Sequence, residues 1–271
     1  MKKITYLVLF FIFFIIIIIL LIIVGKFKNK IQADKNNIKS EINYNNKTNN
    51  VMIEKVKITT DDGVEIIGDL YFNKESKYAG ILIHMMPADR KSFRDLALKL
   101  LENGYSSIAI DLRGHGESTK SIRGILDYTK FSNKEHQDYI FDLRTASNFL
   151  KDKGFREKNQ FLIGASIGAN LSLQFISQKP EIKAAILLSP GKNYKDIEIE
   201  KFLDKSIENK ILIVLSKEDI QSYNSFDIFK EKTPSSTILT YEGKHHGTDL
   251  LKAYPELTLH IINFLKERLF D

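Results

Sequence analysis

The 271-residue sequence contains no cysteine. That absence excludes disulfides, thiolate metal sites, a cysteine nucleophile and a lipid-modified cysteine anchor, while leaving the compartment open. Metal-ligand spacing is missing as well. The six histidines show no His-Glu-x-x-His or similar arrangement, so no metal is expected. The glycines of Asp111-Leu112-Arg113-Gly114-His115-Gly116-Glu117-Ser118 have the wrong spacing for a P-loop or a dinucleotide fingerprint, and no cofactor is expected. Internal repeats and basic tracts suited to nucleic acid are also absent. The formal net charge of +6 does not change this once it is divided by region. Residues 1–50 hold eight lysines and two acids, which leaves 32 basic and 32 acidic side chains in the rest of the chain. The positive excess therefore flanks an apolar segment and is not spread over a folded surface.

That segment is the long run from Ile4 to Val24, which carries no charge. At ~1.5 Å per helical residue it reaches roughly 30 Å, the thickness of a bilayer's hydrocarbon core, and it exceeds the usual apolar region of a cleaved signal. Residues 1–25 are expected to form a single transmembrane anchor, in the membrane through residues 4–24. Retention is expected because the one small-residue cleavage candidate, near Ala33, has bulky Ile31 two positions earlier. Lysines lie on both sides, at 2 and 3 and again at 26, 28, 30, 35 and 39, so the positive-inside rule does not fix the orientation. The short Met-Lys-Lys start resembles a bacterial signal anchor, which implies an extracytoplasmic domain. Residues 26–50, with Asn-Tyr-Asn-Asn-Lys-Thr-Asn-Asn at 43–50, are too polar to bury much surface and are expected to act as a tether. Residues 51–271 read as one domain.

The domain opens with two β-rich runs, 51–59 and 64–72, around the turn signal Asp61-Asp62-Gly63. Short apolar runs follow at 79–84, 106–111, 160–165, 183–189, 210–216 and 235–241. They alternate with segments of helical spacing at 93–103, 134–153, 167–178, 222–232 and 249–270. Fully apolar short strands separated by amphipathic helices predict an α/β fold: a mostly parallel sheet with antiparallel first strands and helices on both faces. In such sheets function gathers at the carboxyl ends of the strands.

At the end of the 160–165 run stands Gly164-Ala165-Ser166-Ile167-Gly168, the pattern G-x-S-x-G, and a helix follows directly. Small neighbours suit a nucleophile held in a strained strand-to-helix turn, and the Ile167 amide at the helix start is placed to donate to an oxyanion. The plain alternative is that Ser166 caps the helix and the glycines only permit close packing. A serine nucleophile needs a base, and the base needs an acid. Asp219 follows the 210–216 run and His245-His246 follows the 235–241 run, so serine, acid and histidine come in that order at successive strand ends. Glu218 is a weaker candidate for the acid.

From about residue 52 to the end, the chain resembles the α/β-hydrolase family. The likeness rests on the serine turn, on His84-Met85-Met86-Pro87, on 111–118, on the Asp219 loop and on His245-His246-Gly247. It implies Ser166 as nucleophile, Asp219 as acid and His246 as general base. His246 is preferred over His245 because the family's histidine is often followed by glycine. Arg113 and His115 are then structural. The family's oxyanion loop usually carries His-Gly, whereas here Met85 stands in the glycine's place. The Met85 amide is expected to join that of Ile167. His84, Met86 and His245 are expected near the substrate, with ordinary core packing an equal account of the methionines. The polar stretch 191–209 and the flap at 119–133 allow only a minimal cap. The expected function is a membrane-anchored serine hydrolase cleaving carboxylic esters or thioesters of small molecules through an acyl-enzyme. The alternatives are a peptidase or amidase of the same fold, or a catalytically impaired, membrane-tethered binding module. Oligomeric state leaves no mark on the sequence.

Overall fold

The structure, a computed structural model, describes residues 51–270. The expected anchor and tether lie outside these residues. Among the described residues no helix is long and apolar enough to cross a membrane.

Among the described residues twelve strands follow in chain order: β1 (Val51–Thr59), β2 (Val64–Asn73), β3 (Ala79–Ile83), β4 (Ser106–Ile110), β5 (Lys120–Ser121), β6 (Gly124–Ile125), β7 (Gln160–Ala165), β8 (Ala184–Leu188), β9 (Asn193–Tyr194), β10 (Ile197–Glu198), β11 (Ile211–Ser216) and β12 (Thr237–Tyr241). Every residue of β3, β4, β7, β8 and β11 is buried, the pattern expected of strands covered on both faces. These strands form the middle of a sheet ordered β12-β11-β8-β7-β3-β4-β2, with β1 also paired to β2. Neighbours from β12 to β4 run parallel, and β2 is antiparallel to β4. Parallel neighbours bring the carboxyl ends of β3, β7, β8, β11 and β12 to one edge.

The helices are α1 (Arg94–Glu102), α2 (Asn133–Gln137), α3 (Tyr139–Asp152), α4 (Ile167–Gln178), α5 (Ile220–Tyr223), α6 (Phe226–Lys232), α7 (Asp249–Ala253) and α8 (Glu256–Leu269). The pair α3 and α4 covers one face of the sheet, and α1 with α8 covers the other. Three of the expected helices are each divided in two. The segment at 249–270 breaks at Tyr254, whose φ of −128° and ψ of 83° are those of a residue forced out of helical geometry by the proline after it. The segment at 134–153 breaks at Asp138, and the one at 222–232 starts instead as α5 and resumes after Asn224 and Ser225 as α6.

The expected flap contains the β5–β6 hairpin, which continues the sheet from the start of β2. The expected cap is equally small: a β9–β10 hairpin and a short 3-10 turn, with Ile197, Ile199 and Ile207 buried in the core.

Candidate active site

Ser166 occupies the junction of β7 and α4 with φ 55° and ψ −119°, left-handed geometry that a non-glycine residue adopts at a cost. It is held there from both sides. Its amide donates to Leu188 O on the neighbouring strand at 2.8 Å, and its carbonyl accepts from Ala169 N at 2.9 Å. The two glycines of the motif are needed for close approach. A β-carbon on Gly164 would lie 2.0 Å from Gly168 O, and one on Gly168 would lie 2.3 Å from Ile83 O at the end of β3. The start of α4 therefore rests directly on the backbone of β7 and β3. Ser166 does not act as a capping acceptor for α4; the Tyr194 hydroxyl, which donates to Ser189 O at 3.5 Å, lies beside its side chain.

Asp219 and His246 meet. The carboxylate lies just past β11 at the start of α5, and its Oδ2 accepts from His246 Nδ1 at 2.6 Å and from Ser222 Oγ at 2.5 Å. Burial pushes the Asp219 carboxyl up, but the hydrogen bonds from His246 and Ser222 outweigh it and hold the group below its ordinary range. An ionised Asp219 fixes the tautomer with the proton on Nδ1 and leaves Nε2 as the basic nitrogen. Glu218 is exposed to solvent.

The loop that carries His246 is pinned against the serine turn. Gly247 N donates to Ser189 Oγ at 2.9 Å, and Ser189 is itself buried in left-handed geometry (φ 54°) at the end of β8. A β-carbon on Gly247 would lie 3.4 Å from the Ala165 side chain and 2.5 Å from Met85 Sδ. The histidine loop, the residue before Ser166 and the loop after β3 are thus in mutual reach. His245 points elsewhere: it is exposed, with its ring edge-on to Tyr254 at 5.5 Å.

The loop after β3, which carries Met85 where the resemblance led one to expect glycine, is held by hydrogen bonds from both sides. His84 is fully buried, with Nε2 accepting from Leu112 N at 3.0 Å and Nδ1 donating to Met85 O at 2.9 Å. Burial lowers its pKa. Both ring nitrogens are engaged, so His84 shapes the loop from beneath and does not face substrate, contrary to expectation. Met85 and Met86 are half-buried, and the Met86–Pro87 peptide is cis. Arg90 closes the loop onto 111–118. Its amide and Nη1 donate to Asp111 at 2.8 and 2.6 Å, Nη2 donates to Glu117 at 2.6 Å, and Nε pairs with Asp69 at 2.9 Å. Arg113 binds Asp142 and Asp62, a structural role like that of His115, which stacks on Tyr128 at 3.7 Å.

Sequence reading missed Tyr194, Ser189, Asn170, Ser222 and Arg90. Only Ser222 left a local signal, a hydroxyl three residues past an acid where a helix begins. Among the described residues no group of three or more metal-ligating side chains is assembled. A groove of about 440 Å³, lined among others by Leu96, Leu251, Leu259 and Ile262, contains none of Ser166, Asp219 and His246.

A parallel sheet in this strand order, with a strained serine at its centre and an Asp–His pair from the last two strand ends, defines an α/β hydrolase. The family model described as serine aminopeptidase, S33, matches residues 75–225, more than half of the chain, and the protein belongs to this α/β-hydrolase family. No curated protein matches the sequence. Among solved structures, the esterase Pf2001 of Pyrococcus furiosus is 20% identical with a TM-score of 0.62, over 81% of this chain and 94% of that one. GrgF of Penicillium sp. sh18, an α/β hydrolase, is 16% identical with a TM-score of 0.66, over 81% and 100%. The dienelactone hydrolase of Anabaena variabilis is 16% identical with a TM-score of 0.63, over 82% and 98%. At these identities the likeness is one of fold.

Proposed function

We propose that the protein is a serine hydrolase that cleaves carboxylic esters or thioesters of small molecules through Ser166, His246 and Asp219. The observation that carries this reading is the strained Ser166 turn, pressed against the loop in which His246 is hydrogen-bonded to Asp219. The names of the solved relatives, an esterase and a dienelactone hydrolase, lend it support.

In this mechanism Ser166 Oγ attacks the acyl carbon while His246 Nε2 takes its proton. Asp219, ionised, orients the ring and stabilises the imidazolium. The amides of Ile167 and Met85 hold the oxyanion, aided by the positive end of α4. His246 then gives the proton to the departing group. Water, activated by the same histidine, releases the acyl group from Ser166.

We further propose the division into an anchor at 1–25, a tether at 26–50 and a hydrolase domain at 51–271, with the domain on the extracytoplasmic side. A second reading, hydrolysis of a peptide or other amide, is favoured by the description of the matching family as aminopeptidases.

The test is labelling of the protein with a fluorophosphonate probe, for wild type and for Ser166→Ala, His246→Ala and His245→Ala. Labelling lost in the first two variants and kept in the third is expected. A folded wild type that stays unlabelled defeats the proposal and favours a binding module; labelling that survives Ser166→Ala defeats the triad.

A further inference from the structure

Tyr194 is buried beside the nucleophile, on β9, in the segment that leaves β8. Its hydroxyl donates to Ser189 O at 3.5 Å and lies close enough to the Ser166 side chain to interact with it. Its ring stands edge-on to His246, with centroids 6.4 Å apart and planes at 88°. The surroundings are built to keep it there. A β-carbon on Gly191 would lie 2.4 Å from the Tyr194 ring, so glycine leaves the space the ring fills. Lys195 and Asp196, both left-handed at φ 54° and 64°, make the tight turn of the β9–β10 hairpin. Asn170, one turn beyond Ser166 on α4, grips that hairpin at both ends: its Nδ2 donates to Gly191 O and Ile197 O, each at 2.8 Å.

Strand order decides on which side of Ser166 the tyrosine lies. β3 and β8 flank β7 on opposite sides. Met85 follows β3, whereas Tyr194 follows β8, and Asp219 and His246 follow β11 and β12 farther in the same direction. Tyr194 therefore follows the strand on the opposite side of β7 from the one that Met85 follows, and its ring meets that of His246. The histidine's side is the one to which a leaving group departs, since His246 must protonate it.

Resting on the serine-hydrolase reading above, we propose that the Tyr194 hydroxyl is a catalytic hydrogen-bond donor to the departing oxygen of an oxygen ester, which selects esters of alcohols over amides. When Ser166 Oγ bonds to the acyl carbon, the Tyr194 hydroxyl exchanges its long hydrogen bond to Ser189 O for one to the leaving atom. As the tetrahedral intermediate collapses, the bond from carbon to the leaving oxygen breaks and its electron pair goes to that oxygen. His246 delivers to it the proton taken from Ser166, and Tyr194 keeps its own proton throughout. An ester oxygen has two lone pairs and accepts from His246 and Tyr194 together. An amide nitrogen at this stage has one, which His246 must protonate, and Tyr194 is left without an acceptor. Thioester sulfur accepts hydrogen bonds weakly. Burial, and next the charge of Asp219, push the Tyr194 phenol far above its ordinary value, so it stays a neutral donor at working pH.

The experiment measures kcat/KM, which reports acylation, for a series of esters of one acyl group whose leaving groups run from nitrophenol to simple alkanols. Wild type is compared with Tyr194→Phe, and both are treated with the fluorophosphonate probe. The expected result is a loss in Tyr194→Phe that grows with the basicity of the leaving group, about tenfold or more greater for the alkyl ester than for the nitrophenyl ester. A uniform loss across the series, or none, overturns the proposal. Should Tyr194→Phe fail to fold by circular dichroism, Gly191→Ala, whose methyl displaces the tyrosine ring, must show the same steepening, and a flat profile there overturns the proposal equally. Labelling separates the two levels of failure. A folded wild type unlabelled at Ser166 removes the serine-hydrolase reading and this one with it. A labelled wild type with a flat variant profile removes the role of Tyr194 alone.

Discussion

The carboxamide of Asn170 is hydrogen-bonded to both backbone groups of Gly191: Oδ1 accepts the amide at 3.1 Å and Nδ2 donates to the carbonyl at 2.8 Å. One side chain thus ties the helix behind Ser166 to the segment that delivers Tyr194. The small cap is thereby joined directly to the helix that starts at the nucleophile, without a domain of its own.

Asn170→Ala strips partners from buried backbone groups at Gly191 and Ile197. Unpaired buried groups cost ~1–3 kcal/mol each, and partial relaxation reduces the sum, so a loss of about 2–4 kcal/mol is expected in urea unfolding. The rate of fluorophosphonate labelling at Ser166 should fall with it. Unchanged stability together with unchanged labelling would show that the hairpin holds its place without the clamp.

Asp219→Asn keeps the shape of the acid but removes the charge that fixes His246. The expected fall in turnover is on the order of 10³–10⁴-fold, while Glu218→Gln, in the exposed neighbour, should stay near wild type. The pH dependence has a definite sign. The Asp219 pKa is lowered from its ordinary 3.8, so the stability it contributes is fully present above that value and is lost as pH falls through the folded value. Thermal unfolding of wild type and Asp219→Asn should therefore converge in strong acid and diverge towards neutral pH.

Ser166, Asp219 and His246 were legible in the sequence because each follows a short apolar strand, and strand ends of a parallel sheet fall on one edge whatever lies between them. The five central strands were legible for the same reason, since continuous burial demands continuous apolar residues. Tyr194 was not. Asn193-Tyr194-Lys195-Asp196 reads as a polar loop, and only the left-handed turn and the hold of Asn170 direct its one aromatic residue inward. His84 misled in the opposite way: a histidine at a strand end suggests chemistry, yet Leu112 N and Met85 O occupy both its nitrogens. The break at Tyr254 was written in Pro255, whereas the break at Asp138 comes from packing, with His136 buried against Tyr139 and Phe131. No periodicity carries that information.

Gly168→Ala tests the seating of α4. The added methyl would meet Ile83 O at 2.3 Å and His84 O at 2.8 Å, and backbone cannot yield as a side-chain tip can. Destabilisation of about 3 kcal/mol or more is expected, visible as a lowered midpoint in thermal unfolding. Because the same shift would displace the Met85 loop from Ser166, whatever folded protein remains should label slowly. A wild-type midpoint would mean that α4 does not rest on the end of β3.

His115 offers a test in which only a proton is counted. It is buried, stacked on Tyr128, and paired through Nε2 with the Tyr139 hydroxyl at 3.1 Å. Burial, and next the neighbouring His84, lower its pKa to about 3. Between the ordinary value of 6.5 and that lowered value, the unfolded chain binds a proton that the folded chain refuses. Stability must then rise with pH across this window, be complete above 6.5, and decline in acid by ~1.4 kcal/mol per pH unit where the difference is a full proton. His115→Phe keeps the stacking ring and removes the titration. Urea unfolding at pH 7, 6 and 5 should show wild type losing stability more steeply than the variant, by about 1 kcal/mol per unit between pH 6 and 5. Parallel slopes would mean that His115 takes up its proton in the folded protein, which the packing of Tyr128 and Tyr139 around it opposes.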